Sequence, residues 1–371
     1  MTAYTPALDG LRGMAIILVL FHHFTILEPV TEFDRTLVNV LLIGWCGVDL
    51  FFVLSGFLIT GILIDARGSD RYFTSFYARR TLRIFPLYYL IVLLSLVVLP
   101  RFPAAEGLLA GDNPPRAQAP YWLYLTNFAV AEQGAFRHGI LDVAWSLAIE
   151  EQFYLIWAAL VWICPLRLLG PLCAALVVLS PLVRSMALAR GAEPIDVYVL
   201  TFFRADALAT GAVIAWLLRA GWLEGAGRAA LWVAAAGVAG VIGVCLIEGD
   251  SWWWQPTMQQ AGYSLLALTA AGMLVAAVVL RSDNMWPRLL SAGWLRAFGK
   301  YSYCLYLIHL PVMRVVREYV WPPAEFATLG SIWAGQLVFY LAATAPAFGL
   351  AWLSWRYFEA PILRLKARFP Y

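Results

Sequence analysis

The sequence predicts an all-α, polytopic membrane protein, and three observations lead to this fold class. Of its 371 residues, 62% are hydrophobic and only 13% are charged, whereas soluble domains have about 45–50% apolar and about 25% charged residues. The mean hydropathy is +0.74, and long apolar runs recur along the whole chain. Too few charges remain to coat a soluble enzyme, and the net charge of +3 is too small to indicate a nucleic-acid partner.

Ten apolar runs approach the length of roughly 20 residues that a helix needs to cross a bilayer. We expect spans at about 10–27, 40–64, 81–99, 145–163, 168–188, 198–218, 229–247, 261–280, 302–321 and 331–355. No repeat or soluble segment interrupts them, so residues 1–371 are predicted to form a single transmembrane domain. No cleavable signal peptide is expected, because no basic segment precedes the first apolar run.

The distribution of basic residues predicts the orientation of these spans. With the N-terminus in the cytoplasm, 16 of the 26 Lys and Arg residues fall in inner loops and 8 in outer loops. Arg184 is one of the 8 residues expected in outer loops. This bias favours an even number of helices with both termini cytoplasmic. The longest connection, about 100–144, then lies outside. Its segment 120–128 is too short to span and is expected to be re-entrant or interfacial.

Ionisable residues inside the spans are the first functional candidates, because placing them in a membrane costs several kcal/mol. In the first span, LDGLRGMAIILVLFHHF, His23 lies roughly 16 Å along the helix from Arg12, near the middle of the membrane. An imidazole there suits a general base. A histidine that only forms hydrogen bonds between helices explains the spacing equally well. His22, its neighbour, has no predicted role.

Two adjacent acids, Glu150 and Glu151, occur in the fourth span, WSLAIEEQFYLIW. Neighbours on a helix point about 100° apart, so at most one of them is expected to face the same cavity as His23. That carboxylate could orient the imidazole, as the acid of a catalytic triad does. A structural ion pair with Arg12 or Arg204 is an equal alternative.

Asp49, Arg204 and Asp206 are further charges within spans, in GVDLFFVLSGFLIT and FFRADALATG. Arg204 and Asp206 are two positions apart and do not face one another on a helix, so each needs a partner elsewhere. A structural polar network between helices is the favoured interpretation. His309, in YSYCLYLIHLPV, is a second-tier catalytic candidate, although packing among aromatic residues is a simpler explanation.

A cluster of arginines in RRTLRIFPLYYL is the clearest binding candidate. Arg79, Arg80 and Arg83 lie within one turn of a helix at the inner end of the third span. Guanidinium groups bind phosphates in a bidentate manner. The stronger alternative is that the cluster sets topology or contacts anionic membrane lipids. Tyr88, in the same segment, is grouped with these arginines.

Other chemical motifs are missing from the sequence. The five cysteines form no CxxC pair and suit buried packing, so no metal site is predicted. There is no GxGxxG, P-loop, HExxH or GxSxG motif. Ser55 and Ser146 are better explained by close helix packing than as nucleophiles. Segment 355–366 is expected to end the last span and continue as a basic amphipathic tail on the inner surface.

Eight segments together resemble the acyltransferase family 3, membrane-bound O-acyltransferases of bacterial cell-envelope glycans. They span residues 8–361 in the family's order: LDGLRG with the Arg12-x10-His23 spacing, GVDLFFVLSGFLIT, RRTLRIFPLYYL, YLTNF, WSLAIEEQFYLIW, FRADALATG, YSYCLYLIHLP and RYFEAP. Each motif is weak alone, whereas eight in order are specific.

The resemblance implies a multi-pass enzyme of the bacterial inner membrane, in the form without a fused hydrolase-like domain. It implies transfer of an acyl group, usually acetyl, from cytoplasmic acetyl-coenzyme A or another acyl-coenzyme A to a hydroxyl of a glycan or other acceptor outside, with no metal. His23 would be the base or a transient acyl carrier. The implied catalytic group is His23, Glu150, Arg12 and Asp49, with Glu150 preferred to Glu151. The implied coenzyme A group is Arg79, Arg80, Arg83 and Tyr88, and the polar or substrate group is Asn127, Trp145, Glu151, Arg204, Asp206 and His309.

A transporter or flippase of an envelope lipid or sugar is the alternative function. Ten helices with buried charges fit such a protein as well. The absence of an inverted repeat and the order of the motifs argue against it.

Overall fold

The computed structural model describes residues 5–102, 118–137, 139–329 and 331–371, and all regular structure among them is helical. The α-helices, numbered in chain order, are α1 Pro6–Phe24, α2 Glu32–Leu42, α3 Gly47–Ala66, α4 Tyr72–Leu93, α5 Ala119–Trp122, α6 Thr126–Gln133, α7 Ala144–Ile163, α8 Leu166–Ala189, α9 Pro194–Val199, α10 Ala205–Arg219, α11 Gly227–Glu248, α12 Tyr263–Val279, α13 Met285–Leu290, α14 Gly293–Val315, α15 Ile332–Ser354 and α16 Ala360–Leu363. Short 3₁₀ or π segments extend or connect them at Ile43–Cys46, Leu94–Val98, Leu99–Arg101, Gly139–Leu141, Thr201–Phe203, Met258–Gly262, Val316–Val320, Pro323–Leu329, Trp355–Glu359 and Arg364–Arg368.

Each of the ten predicted spans coincides with a helix, and the all-α polytopic membrane fold is confirmed. Within the described residues, eight helical segments are long and apolar enough to cross a membrane. The two predicted spans that fall short are α10, with only 15 residues, and α14, which carries Arg296, Lys300 and Arg314. Both helices contribute buried polar groups to the interior, Asp206 from α10 and His309 from α14.

Helices α1 and α14 touch through their backbones. A Cβ atom added at Gly13 would lie 2.0 Å from the carbonyl oxygen of Leu295, and one added at Gly299 would lie 1.8 Å from that of Asp9. Small residues at both surfaces permit this close approach, as they do in other membrane helix pairs. Gly13 of LDGLRG and Gly299 thus hold α1, which carries His23, against α14, which carries His309.

Gly13→Ala is expected to destabilise the protein, because its new methyl group meets backbone that cannot move aside. Overpacking of this kind costs about 1–3 kcal/mol, which predicts a melting temperature lower by several degrees in detergent. The matched control is Gly243→Ala in α11, where an added Cβ meets nothing within 4 Å. Equal melting temperatures for the two variants would contradict the backbone contact.

A second glycine contact joins α3 to α10. A Cβ at Gly56 would lie 1.9 Å from the carbonyl oxygen of Leu208, and one at Gly211 would lie 2.0 Å from that of Val53. These glycines belong to the LSGF and ALATG motifs. Close packing here brings Asp49 of α3 beside Arg204, at the start of α10.

Two connecting segments pack against α4. The segment predicted to be re-entrant forms the short helices α5 and α6, and the hydroxyl groups of Tyr88 and Tyr89 donate to the carbonyls of Tyr121 and Trp122 at 2.8 and 3.0 Å. The segment predicted to be a tail on the inner surface packs against α4, where Arg79 donates to the carbonyl of Lys366 at 3.3 Å, and Ser75 donates to the carbonyl of Pro370 just beyond it at 2.5 Å.

Candidate active site

Three cavities follow one another through the helix bundle. The inner cavity, of about 970 Å³, is lined by an unusual concentration of cations. These cations are Arg12, Arg79, Arg80, Arg83, Arg219 and Lys366. Two of them have carboxylate partners: Arg219 pairs with Asp65 through bonds of 2.7 and 2.8 Å, and Arg12 pairs with Asp9 at 3.2 Å. The remaining cations make this cavity suited to a polyanionic ligand.

The three predicted arginines are held by different partners. The Arg79 guanidinium donates to the carbonyls of Lys366 and Phe369 at 3.3 and 3.1 Å. Arg80 lies 5.2 Å from the ring centre of Tyr154, and Arg83 lies 4.0 Å from a carboxylate oxygen of Glu359. Carbonyl groups and aromatic rings orient a guanidinium without cancelling its charge, so Arg79 and Arg80 keep theirs.

The middle cavity is small, about 130 Å³, and shares Arg12, Arg80 and Arg83 with the inner cavity. Both Glu150 and Glu151 line it. Glu150 accepts a hydrogen bond from the hydroxyl of Ser55. Neither acid lines the cavity that contains His23, so the expected orientation of His23 by direct contact with Glu150 is absent from this structure.

The outer cavity, of about 380 Å³, contains His22 and His23. It shares Val48 and Tyr306 with the middle cavity. The Tyr306 hydroxyl lies 2.6 Å from that of Ser146, between the two spaces. Shared lining residues therefore connect the arginines at one end to the histidines at the other.

Hydrogen bonds to carbonyl groups decide which nitrogen of His23 carries the proton. Its Nδ1 lies 3.0 Å from the carbonyl oxygen of Val19, and a carbonyl can only accept. His309 is fixed in the same way by its Nδ1, 2.8 Å from the Tyr306 carbonyl, which leaves its Nε2 to accept from His23 Nδ1 at 3.3 Å. In neutral His23, Nε2 therefore has the free lone pair that a general base needs.

His22 has a similar arrangement. Its Nδ1 donates to the carbonyl of Leu42 at 2.6 Å, and its ring centre lies 4.8 Å from that of His23. The outer cavity thus has two imidazoles, but only the ring of His23 also contacts His309.

Comparison with known proteins places this chain in a family. A family model described as an acyltransferase domain matches residues 5–356. The chain belongs to this acyltransferase family. No solved structure matches it.

Two curated relatives of this chain are named as O-acetyltransferases. The peptidoglycan O-acetyltransferase OatA of Listeria monocytogenes is 29% identical over 97% of this chain and 56% of its own length. The O-acetyltransferase OatA of Staphylococcus aureus is 26% identical over 97% of this chain and 57% of its own length. The chain therefore spans little more than half the length of these curated relatives.

Two buried ion pairs lie outside the three cavities. Asp49 pairs with Arg204, and Asp206 pairs with Arg184 at 2.8 Å. The side chain of Arg184 is fully buried, so the expectation that it belongs to an outer loop is wrong. It also donates to the carbonyl of Phe203 at 2.6 Å. Asp49 and Arg204 thus form an ion pair between α3 and the start of α10, and Asp49 lines none of the three cavities.

Arg204→Met is expected to reduce the yield of folded protein sharply, because it leaves Asp49 as an unpaired buried charge. Breaking such a pair costs about 3–5 kcal/mol, whereas replacing both partners by apolar residues is often neutral. Arg204→Met combined with Asp49→Leu should therefore recover much of the melting temperature. The control is Arg281→Met, at an exposed pair with Asp283. Equal losses in the single and double variants would argue against the ion pair.

The remaining sequence candidates occupy separate places. Tyr88 is buried and anchors α5, away from the arginine cavity. Trp145 lines the outer cavity. Asn127 donates to the hydroxyl of Thr201 at 3.1 Å and accepts from the side-chain amide of Gln152 at 2.9 Å. This network joins the short helix α6 to α7.

Several residues of the site were missed by sequence reasoning. Lys366 and Tyr371 line the inner cavity, and Tyr306 separates the middle cavity from the outer one. Three consecutive tryptophans, 252–254, line the outer cavity, and the run WWW was the available signal. Among the described residues, no cluster of His, Cys, Asp and Glu is arranged to hold a metal ion.

Proposed function

We propose that this acyltransferase transfers an acyl group, most simply acetyl, from acyl-coenzyme A on the cytoplasmic side to a hydroxyl of a cell-envelope glycan outside. The observation that carries the proposal is the connected series of cavities, with arginines at one end and His23 at the other. The names of the two relatives, O-acetyltransferases, support acetyl as the group. The basic inner loops support an orientation with the arginine cavity facing the cytoplasm.

The inner cavity fits the nucleotide part of coenzyme A. Its 3′-phosphate and pyrophosphate are the polyanion that Arg79, Arg80 and Arg83 would bind, with Lys366 beside them. A volume of about 970 Å³ accommodates a nucleotide. The middle cavity of about 130 Å³ does not, but a narrow chain such as the pantetheine arm could enter it. The thioester would then approach the outer cavity while the nucleotide stays inside.

The chemistry assigned to His23 follows from its free Nε2. That nitrogen accepts the proton of the acceptor hydroxyl while the oxygen attacks the thioester carbonyl. The carbon–sulfur bond then breaks, and the leaving thiolate recovers the proton from His23. An acyl-histidine intermediate would use the same nitrogen as the nucleophile. Glu150 borders the middle cavity, so we place its role with the donor arm and not with the imidazole.

Binding and product measurements test this function together. Purified protein in lipid nanodiscs should bind coenzyme A in calorimetry. Envelope glycans from cells with the gene should carry O-acyl groups that mass spectrometry does not find in cells without it. A transporter would bind no coenzyme A and would leave the glycans unmodified, and that pair of results would overturn the proposal.

His309 acts in this scheme as a positioning residue, because its Nε2 accepts from His23 Nδ1. His309→Ala is expected to lower kcat about 5–30-fold, which corresponds to one hydrogen bond of about 1–2 kcal/mol, and to change the dependence of kcat on pH. His309→Gln should recover part of the rate, because its amide oxygen can accept the same hydrogen. Identical pH profiles for all three proteins would indicate a purely structural role.

A further inference from the structure

The outer cavity is unusually rich in aromatic side chains. Eight rings other than the histidines line it: Trp45, Phe136, Trp145, Tyr198, Trp252, Trp253, Trp254 and Tyr306. Two charged residues, Asp142 and Arg314, also line the cavity. Their side chains attract each other, so the wall of the cavity combines aromatic rings with a carboxylate and a guanidinium.

Hydrogen bonds hold the tryptophan segment in place. The indole of Trp45 donates to the carbonyl of Ser251 at 2.9 Å, and the hydroxyl of Ser251 donates to the carbonyl of Asn39 at 2.6 Å. The Tyr263 hydroxyl donates to the carbonyl of Trp253 at 2.8 Å. The segment is therefore tied to three other parts of the protein, and its rings need little ordering when a ligand binds.

Four of these aromatic rings stack face to face in two pairs. Trp252 and Trp254 stack with centres 4.3 Å apart and planes at 14°. Trp253 and Tyr198 stack with centres 4.3 Å apart and planes at 18°. The ring centre of Trp252 lies 6.1 Å from that of His22, so the tryptophans reach the imidazoles directly.

We propose that the outer cavity is the acceptor subsite and that it binds a pyranose ring against the stacked rings of Trp252 and Trp254. A pyranose has an apolar face of C–H groups, which packs on aromatic rings, and a rim of hydroxyls, which Asp142 and Arg314 can bind. The volume of about 380 Å³ falls within the range of about 300–1,000 Å³ for small-ligand pockets. This inference rests on the proposed function for the identity of the hydroxyl acceptor, which it makes a sugar presented to His23.

The test uses N-acetylchitotetraose as the sugar probe, with the full chain in nanodiscs and calorimetry as the readout. We expect Trp252→Ala to weaken binding of the tetrasaccharide about tenfold or more and Trp252→Phe to weaken it less, because phenylalanine keeps an aromatic face. The control is Trp232→Ala, a tryptophan of α11 that is 78% exposed on the outside of the bundle, and it should bind as the parent protein does. Coenzyme A affinity should be the same in all four proteins.

The outcomes separate this inference from the proposed function. Tetrasaccharide binding that depends on Trp252 supports the subsite, even if coenzyme A does not bind and the proposed function therefore fails. The proposed subsite is contradicted if coenzyme A binds while the tetrasaccharide does not. It is also contradicted if the tetrasaccharide binds the Trp252→Ala and parent proteins with equal affinity. Equal weakening by Trp232→Ala and Trp252→Ala would also overturn it, since the effect would then not come from the cavity.

Discussion

His23→Ala is expected to abolish acyl transfer while leaving coenzyme A binding unchanged. The substitution removes the imidazole whose Nε2 has a free lone pair in the outer cavity, whereas the arginines lie in the inner cavity. General base catalysis alone contributes about 10²–10⁴-fold to a rate, and a nucleophilic role would make the loss larger. The measurement is transfer from radiolabelled acetyl-coenzyme A to envelope acceptor in membranes, with coenzyme A binding measured in parallel.

His22→Ala is the matched control for this prediction. His22 is its neighbour on α1, lines the same cavity and has its own carbonyl partner, yet it does not contact His309. We expect this variant to retain a measurable part of the activity. Full transfer by His23→Ala would contradict the assignment, and loss of transfer in His22→Ala alone would move the role of base to His22.

Arg80→Ala combined with Arg83→Ala is expected to weaken coenzyme A binding by about 100-fold or more. Each arginine lines both the inner and the middle cavity, and a hydrogen bond to a charged group contributes about 1.5–3 kcal/mol. We expect Arg79→Ala to have a smaller effect, because its guanidinium already donates to two carbonyls of the C-terminal segment. Calorimetric titration at two salt concentrations measures these differences. Higher salt should weaken coenzyme A binding most in the parent protein, which keeps all three arginines.

A comparison of ligands makes the arginine prediction sharper. If the cluster binds phosphates, the parent protein should bind 3′-dephospho-coenzyme A more weakly than coenzyme A. The difference in affinity between the two ligands should be smaller in the double variant. Arg288→Ala, at a basic residue that lines none of the three cavities, should leave both affinities unchanged. Unchanged affinity in the double variant would reduce the cluster to a signal for topology or lipid contact.

The sequence was sufficient for features that depend on local spacing. Arg12 and His23 lie eleven residues apart on one helix, and this spacing alone places them at different depths. The arginine cluster was found in the same way, since Arg79, Arg80 and Arg83 must lie close together on any helix. The apolar runs likewise predicted every long helix.

Features that depend on contacts between distant segments were not available from the sequence. Arg184 stands near the end of an apolar run, where a basic side chain ordinarily reaches the membrane surface. Only the packing of α8 shows that Asp206 is its partner. Glu150 points toward Ser55 because of how α7 is rotated against α3, and no periodicity reports that rotation. Lys366 lines the arginine cavity because the C-terminal segment folds back, which its composition does not reveal.

The small size of the middle cavity has a consequence for the energy supply of the cell. The middle cavity, of about 130 Å³, is the smallest of the three, against about 970 Å³ for the inner and about 380 Å³ for the outer one. In the proposed reaction only the acyl group crosses this constriction, while the nucleotide carrier stays in the cytoplasm for recharging. Envelope modification would then draw on internal metabolism without exporting a cofactor.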